Sequence, residues 1–305
     1  MKKLFSHLLL VLILALSGLP ARSEELFKKV SDLNYVPNSV EASQTLDLYI
    51  PNDNKKVHPL VIFVHGGGWS AGDKSGAPLV EEFSKYGIAV ASLNYRLSTE
   101  ARFPAQIFDV KAAVRWLRAH AAEYSLDPAN FGAWGGSAGG HLVALLGTSN
   151  GARELEGNEG NAGQSSYVTA VCDMCGPANF FSLNQPFTPG VLSRPILLGP
   201  GKSRYPKKCA SQILLGATPD ENPGQAKLAS PVCWISKNTS PFLIIHGNKD
   251  RTVPLNQSLE LAALLKAKQI DTTLMVVPNA GHAVGGADVN RSIISFFKQH
   301  LLKSP

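Results

Sequence analysis

Apolar positions along the chain fall into two alternating kinds of segment. Short, nearly continuous apolar runs occur at residues 59–64 (PLVIFV), 87–93 (GIAVASL), 131–134 (FGAW), 167–171 (YVTAV), 241–246 (PFLIIH) and 272–277 (TTLMVV). Runs this short, rich in β-branched residues and without polar alternation, read as strands buried on both faces. Between them, apolar residues recur at three- and four-residue steps. The clearest such stretch opens at Pro104, whose missing N–H costs nothing in a first helical turn. It continues through Ile107, Val110, Val114, Leu117 and Ala121 on one face. Residues 258–269 and 289–302 repeat the pattern, and HLVALLG at 141–147 opens a further apolar helix. Strands alternating with helices predict a mostly parallel central sheet with helices on both faces. An antiparallel hairpin of residues 34–40 and 44–50 is expected to lead into it. Residues 176–231 break the rhythm. They are rich in Pro, Gly, Asn and Ser, and read as an insertion over the carboxyl edge of the sheet that shapes a pocket or forms a lid.

The amino-terminal residues stand apart. Lys2 and Lys3 precede an apolar run from Leu4 to Leu16, and Ala21 and Ser23 place small residues two apart. That is the pattern of a secretory signal peptide over 1–23, leaving one domain over 24–305. The run is shorter than the roughly 20 residues a membrane span requires, so no stable membrane insertion is expected. The reading places the mature protein outside the cytoplasm, in a periplasm or secreted. Removing Lys2, Lys3 and Arg22, with no acid among the same residues, lowers the formal charge of +6 by three, to +3. The remaining basic residues are scattered rather than striped, which argues against nucleic acid as a partner.

An exported chain with four cysteines can form disulfides. Three residues of extended chain would hold the Cα atoms of Cys172 and Cys175 roughly 10 Å apart, too far to bridge. Any bridge would therefore involve Cys209 or Cys233. No histidine lies at ligand spacing from these cysteines, so neither a metal nor another cofactor is expected.

Chemistry concentrates in four loops. Gly135-Gly136-Ser137-Ala138-Gly139 satisfies G-x-S-x-G between a predicted strand and a predicted helix, the setting that forces a serine onto a sharp, exposed elbow. Phosphate cradling would need G-x-G-x-x-G or a terminal GK[ST], and this loop, FGAWGGSAGGH, has neither. A serine hydroxyl needs a base to take its proton and a third group to hold that base. In chain order the acid should follow a later strand and the histidine should come last. Asp250, in HGNKDRTVP, and His282, in NAGHAVGG, meet both conditions. His65 and His246 sit at strand ends ahead of the expected acid, and His141 lies one turn beyond the serine, so none of them qualifies as the base. The roles follow: Ser137 attacks a carbonyl, His282 relays the proton and Asp250 orients the imidazole. The oxyanion that forms needs amide donors. His65-Gly66-Gly67-Gly68 after the strand at 59–64 matches the HGGG element that supplies them, and the Ala138 N–H is the donor next to the nucleophile. Trp69, beside this loop, is either a pocket wall or a core residue.

These motifs, HGGGW, GGSAGG, HGNKD and AGH, resemble those of the α/β-hydrolase superfamily, and within it the hormone-sensitive-lipase-type esterases. The stretch from YRLSTEARFPAQ to GGSAGGHLVALLG is similar to secreted esterases of the bifunctional feruloyl and acetyl-xylan type. The resemblance extends over most of the chain after the leader. It implies an α/β-hydrolase fold, Ser137, Asp250 and His282 as the triad, and the amides of Gly67, Gly68 and Ala138 as the oxyanion hole. It also implies a small-molecule or polysaccharide ester as substrate, carrying acetyl, feruloyl or another short acyl group. A prolyl-oligopeptidase-like peptidase on the same fold usually carries a large amino-terminal propeller, and only a few tens of residues precede the first strand here. A non-catalytic binding protein of this fold tends to lose at least one triad residue, and this chain keeps all three.

Overall fold

Alternating apolar strands and amphipathic helices resolve into an eight-stranded sheet. The computed structural model describes residues 25–37, 39, 41–183 and 209–302. The predicted leader at 1–23 lies outside the described residues. In chain order the elements are β1 (Phe27–Asn34), β2 (Thr45–Pro51), β3 (His58–Val64), α1 (Val80–Ser84), β4 (Ala89–Leu93), α2 (Ala105–Ala119), β5 (Leu126–Gly136) and α3 (Ala138–Thr148). There follow β6 (Ala170–Met174), α4 (Ala210–Leu215), α5 (Pro223–Ala229), β7 (Phe242–Gly247), α6 (Asn256–Ala267), β8 (Thr272–Val277) and α7 (Ala287–Leu301). The sheet order is β1-β2-β4-β3-β5-β6-β7-β8. β1 and β2 pair antiparallel, as do β2 and β4; every other neighbouring pair is parallel.

The period of two along β3 divides the core. Leu60, Ile62 and Val64 point into a cluster with Val110, Val114 and Leu117 of α2, Leu142 and Leu146 of α3, and Leu261 and Leu265 of α6. Val61 and Phe63 point the other way, toward Phe83 of α1 and Ile293, Phe297 and Leu301 of α7. Both faces are therefore covered, which is why the strands lack polar alternation.

The amino-terminal hairpin exists, but its first strand lies at Phe27–Asn34 rather than 34–40. β1 is an edge strand and mostly solvated. Its sequence FKKVSDLN carries too few apolar residues to stand out beside the buried strands. β6 likewise sits at Ala170–Met174, shifted from 167–171. The described part of 176–231 holds α4 and α5, of six and seven residues. Two turns are too few for a helical period to show in sequence. A Cβ on Gly68 would lie 3.6 Å from the Cβ of Ala210, so the start of α4 packs against the loop that follows β3. All four cysteines are free thiols, and Cys172 and Cys175 are buried.

Candidate active site

The sheet order reverses at β3 and β5: the chain runs outward from β3 to β4, then crosses back to β5. The following helices, α1 and α3, lie on opposite faces. Their loops part at the carboxyl edge and leave a crevice there, the switch-point position where open α/β sheets place ligands. The HGGG loop and Ser137 flank that crevice, because they follow adjacent strands.

Ser137 occupies φ 56°, ψ −120°, a strained conformation for a residue with a side chain. Its N–H donates to the Met174 carbonyl at 2.8 Å, which pins the turn to the end of β6. The elbow demands that α3 leave very close to the sheet. A Cβ on Gly139 would overlap the carbonyl oxygen of Val64 and crowd that of His65. On the opposing loop, Gly67 has φ +110° and a Cβ there would overlap the Ala71 carbonyl.

The three side chains chosen from chain order meet. Ser137 Oγ lies 2.8 Å from His282 Nε2, and His282 Nδ1 lies 2.7 Å from Asp250 Oδ2. A carboxylate only accepts, so Nδ1 carries the proton and Nε2 offers its lone pair to the serine hydroxyl. The Asp250 carboxylate is fully enclosed, whereas His282 remains 27% exposed. Oδ1 accepts from the amides of Thr252 (2.8 Å) and Val253 (3.0 Å). Burial alone would raise the carboxyl, but the bond from His282 and those two amides outweigh it and hold Asp250 below its ordinary value.

Ala138 is the first residue of α3, where amides lack a carbonyl partner within the helix. Gly67 and Gly68, both at positive φ, carry the opposing loop. His65 serves as its brace. The imidazole donates from Nδ1 to the Gly66 carbonyl at 2.7 Å and stacks on Tyr95, whose hydroxyl donates to the His65 carbonyl at 3.1 Å. Trp69 belongs to the core: it is 4% exposed, packed against Phe180 and His141, so its ring is not an open wall of the crevice. A cavity of about 300 Å³ lies on the α7 side, its walls including Phe63, Gly66, Trp134, Gly136, Met174 and Val284.

Two histidines set aside by chain order have partners that sequence could not show. His246 Nε2 lies 2.9 Å from the Val253 carbonyl and 3.2 Å from Asp250 Oδ2, and Nδ1 lies 2.7 Å from Ser258 Oγ. Two oxygens that only accept fix the proton on Nε2, so this imidazole is a further donor to Asp250. His141 bridges Trp69 and Ala229. The sequence signal was weak but present: HG before the acid, and H four residues after the serine.

Cys175, His246 and Asp250 also bring a thiol, an imidazole and a carboxylate within 4.8 Å of one another, a grouping that residue spacing does not predict. Burial pushes the Cys175 thiol up to about 12, away from the thiolate a metal needs. The lone pair of His246 faces Ser258 instead. The donor set is that of a hydrogen-bonded acid, not of a metal site.

Asp173, at the end of β6, is fully buried; Oδ1 accepts from the Gly176 amide at 2.9 Å, and Oδ2 has no partner among the described residues. Burial pushes its carboxyl from 3.8 up to about 7. Between those values the unfolded chain gives up its proton before the folded one does, so stability falls as pH rises and the loss is complete above about 7. Asp173→Asn cannot ionise. It is expected to match the wild type near pH 4 and to exceed it at pH 8 by on the order of 4 kcal/mol. Chemical denaturation at the two pH values reads the difference; an equal gap at both would remove Asp173 as its source.

A parallel sheet carrying this elbow, carboxylate and imidazole, in this chain order and at the switch point, defines an α/β-hydrolase. The profile of the BD-FAE family matches residues 46–265, and the chain belongs to that family. It is 30% identical over 289 residues to the esterase LipQ of Mycobacterium tuberculosis, covering 92% of this chain and 63% of the relative. The chain spans about 60% of the length of the first curated relatives it matches. Among solved structures, a truncated carbohydrate esterase from gut microbiota superposes with a TM-score of 0.82 at 32% identity, covering 92% of this chain and 99% of that one. The propionate-bound thermophilic esterase of Thermogutta terrifontis gives 0.69 at 26% identity, covering 92% and 97%.

Proposed function

We propose that the protein is a serine carboxylic-ester hydrolase that works through an acyl-enzyme on Ser137. The observation that carries this reading is the unbroken hydrogen-bond chain Asp250–His282–Ser137, at 2.7 and 2.8 Å. His282 takes the Ser137 proton as Oγ attacks the ester carbonyl, and the oxyanion is held by the amides of Gly67, Gly68 and Ala138. Collapse expels the alcohol, which leaves with the proton from His282. Water then repeats the sequence on the acyl-serine, releasing the acid and restoring the serine.

For the substrate we propose acetyl or hydroxycinnamoyl esters of plant polysaccharide, hydrolysed outside the cytoplasm after removal of the leader. The gut-microbiota relative is named a carbohydrate esterase, which supports a sugar hydroxyl as the alcohol side of the ester. The cavity against Gly66, Gly136 and Val284 borders the HGGG loop, the serine elbow and the His282 loop, and its Phe63 and Trp134 walls suit an aromatic acyl group. A panel of p-nitrophenyl acetate, acetylated xylan, methyl ferulate and a prolyl peptide amide tests this. Turnover of the esters with none of the amide is expected. Preferential cleavage of the amide would replace the reading with a peptidase.

A further inference from the structure

The two halves of the oxyanion hole sit on different strands. One is the loop after β3; the other is the start of α3 after β5. Something must fix their separation, because donors misplaced by an ångström no longer meet the developing charge. Three successive residues of the β3 loop, Gly67, Gly68 and Trp69, have positive φ (110°, 60° and 58°). Glycine accepts this freely, but Trp69 does not. Its conformation is therefore held from outside. Ser98 N–H donates to the Trp69 carbonyl at 2.7 Å, and the indole Nε1–H donates to His141 Nδ1 at 3.0 Å, with the rings edge-on. His141 stands on α3, its amide donating to the Ser137 carbonyl at 2.9 Å, so it is rigidly joined to the nucleophile. Its other nitrogen donates to the Ala229 carbonyl at 2.7 Å, at the end of α5.

We propose that His141 is a positioning residue: a neutral imidazole strut that ties Trp69, and through it the Gly67-Gly68 donors, to the helix carrying Ser137 and Ala138. This rests on the serine-esterase reading above and names what sets its oxyanion geometry. The strut works in one tautomer only. Ala229 can only accept, so Nε2 carries the proton, and Nδ1 is left to accept the indole N–H. A second proton would set two donors face to face. Complete burial pushes this imidazole down to about 4, so the strut is intact wherever a serine esterase works. Phe180 packs on both rings and excludes water from the link.

The test is a double-mutant cycle with two rescue arms, read by steady-state kinetics on p-nitrophenyl acetate. His141→Leu removes both hydrogen bonds at similar volume, and Trp69→Phe removes the indole donor. Each is expected to lower kcat about 30- to 100-fold with KM nearly unchanged, because the oxyanion forms only in the transition state. The double variant is expected to lose no more than either single, since both break the same link. His141→Asn puts an amide oxygen where Nδ1 was, keeps the acceptor for Trp69, and is expected to recover most of kcat. Multiplicative losses, a rise in KM alone, or an Asn variant as slow as the Leu variant would overturn the strut. Should His141→Leu fail to fold, Trp69→Phe against His141→Asn carries the same decision. Ser137→Ala in the same assay separates the parent reading. Wild-type turnover there removes the serine mechanism itself; a dead Ser137→Ala beside an unimpaired Trp69→Phe removes only the strut.

Discussion

Ser137→Ala is expected to lower kcat for ester hydrolysis about 10⁶-fold while leaving the folded protein intact. The size of the loss follows from how the group acts. The hydroxyl, the imidazole and the carboxylate function as one unit, so removing the nucleophile forfeits the whole covalent route. What remains is binding and whatever polarisation the amide donors give to a carbonyl attacked by water. The fold should not suffer. The Oγ makes its hydrogen bond to a partly exposed imidazole, and the turn is held by the Ser137 amide on the Met174 carbonyl, which alanine retains. Active-site titration and thermal unfolding on the same preparation check both halves. Activity within tenfold of wild type would remove Ser137 from the chemistry.

Gly139→Val is expected to show the opposite pattern, with stability failing first. The glycine lies where α3 crosses the end of β3, and an added Cβ would occupy the space of the Val64 carbonyl oxygen. Backbone cannot rotate away as a side chain can, so α3 would have to move off the sheet. That motion would open the contact of Leu142 and Leu146 with the core. A loss of about 3 kcal/mol or more is expected, the upper end of overpacking costs. Gly76→Ala is the matched control, because a Cβ there meets nothing within 4 Å. It should be neutral or slightly stabilising by about 0.5 kcal/mol. Urea denaturation of the pair decides it; equal midpoints would mean that the second glycine of G-x-S-x-G is not there for packing.

The sequence was most legible where a single physical requirement governs several neighbouring residues. Burial on both faces makes β3, β4 and β7 nearly continuous apolar runs, and the close crossing of α3 imposes glycine at fixed spacing from Ser137. Chain order then selected Asp250 and His282 from the remaining acids and histidines. The solvated edge strand β1 and the short helices α4 and α5 were poorly legible, since one lacks apolar residues and the others lack length. Illegible altogether were links whose partners are distant in sequence. His141 and Trp69 are 72 residues apart, and His141 and Ala229 are 88. His246 lies only four residues before Asp250, yet their contact depends on how the chain turns after β7. Trp69 shows the same limit. The sequence left it either wall or core, and its burial against His141 and Phe180 places it in the core.

The serine mechanism is tested most directly by covalent labelling. The protein is treated with a dialkyl p-nitrophenyl phosphate, digested, and mapped by mass spectrometry, with His282→Ala as the comparison. One phosphoryl group per chain is expected, on the peptide containing Ser137, in step with loss of esterase activity. Labelling of His282→Ala should be slower by orders of magnitude, because the serine has lost its base. Full inactivation with the label on any other residue, or ester turnover undiminished with Ser137 fully modified, would contradict the account.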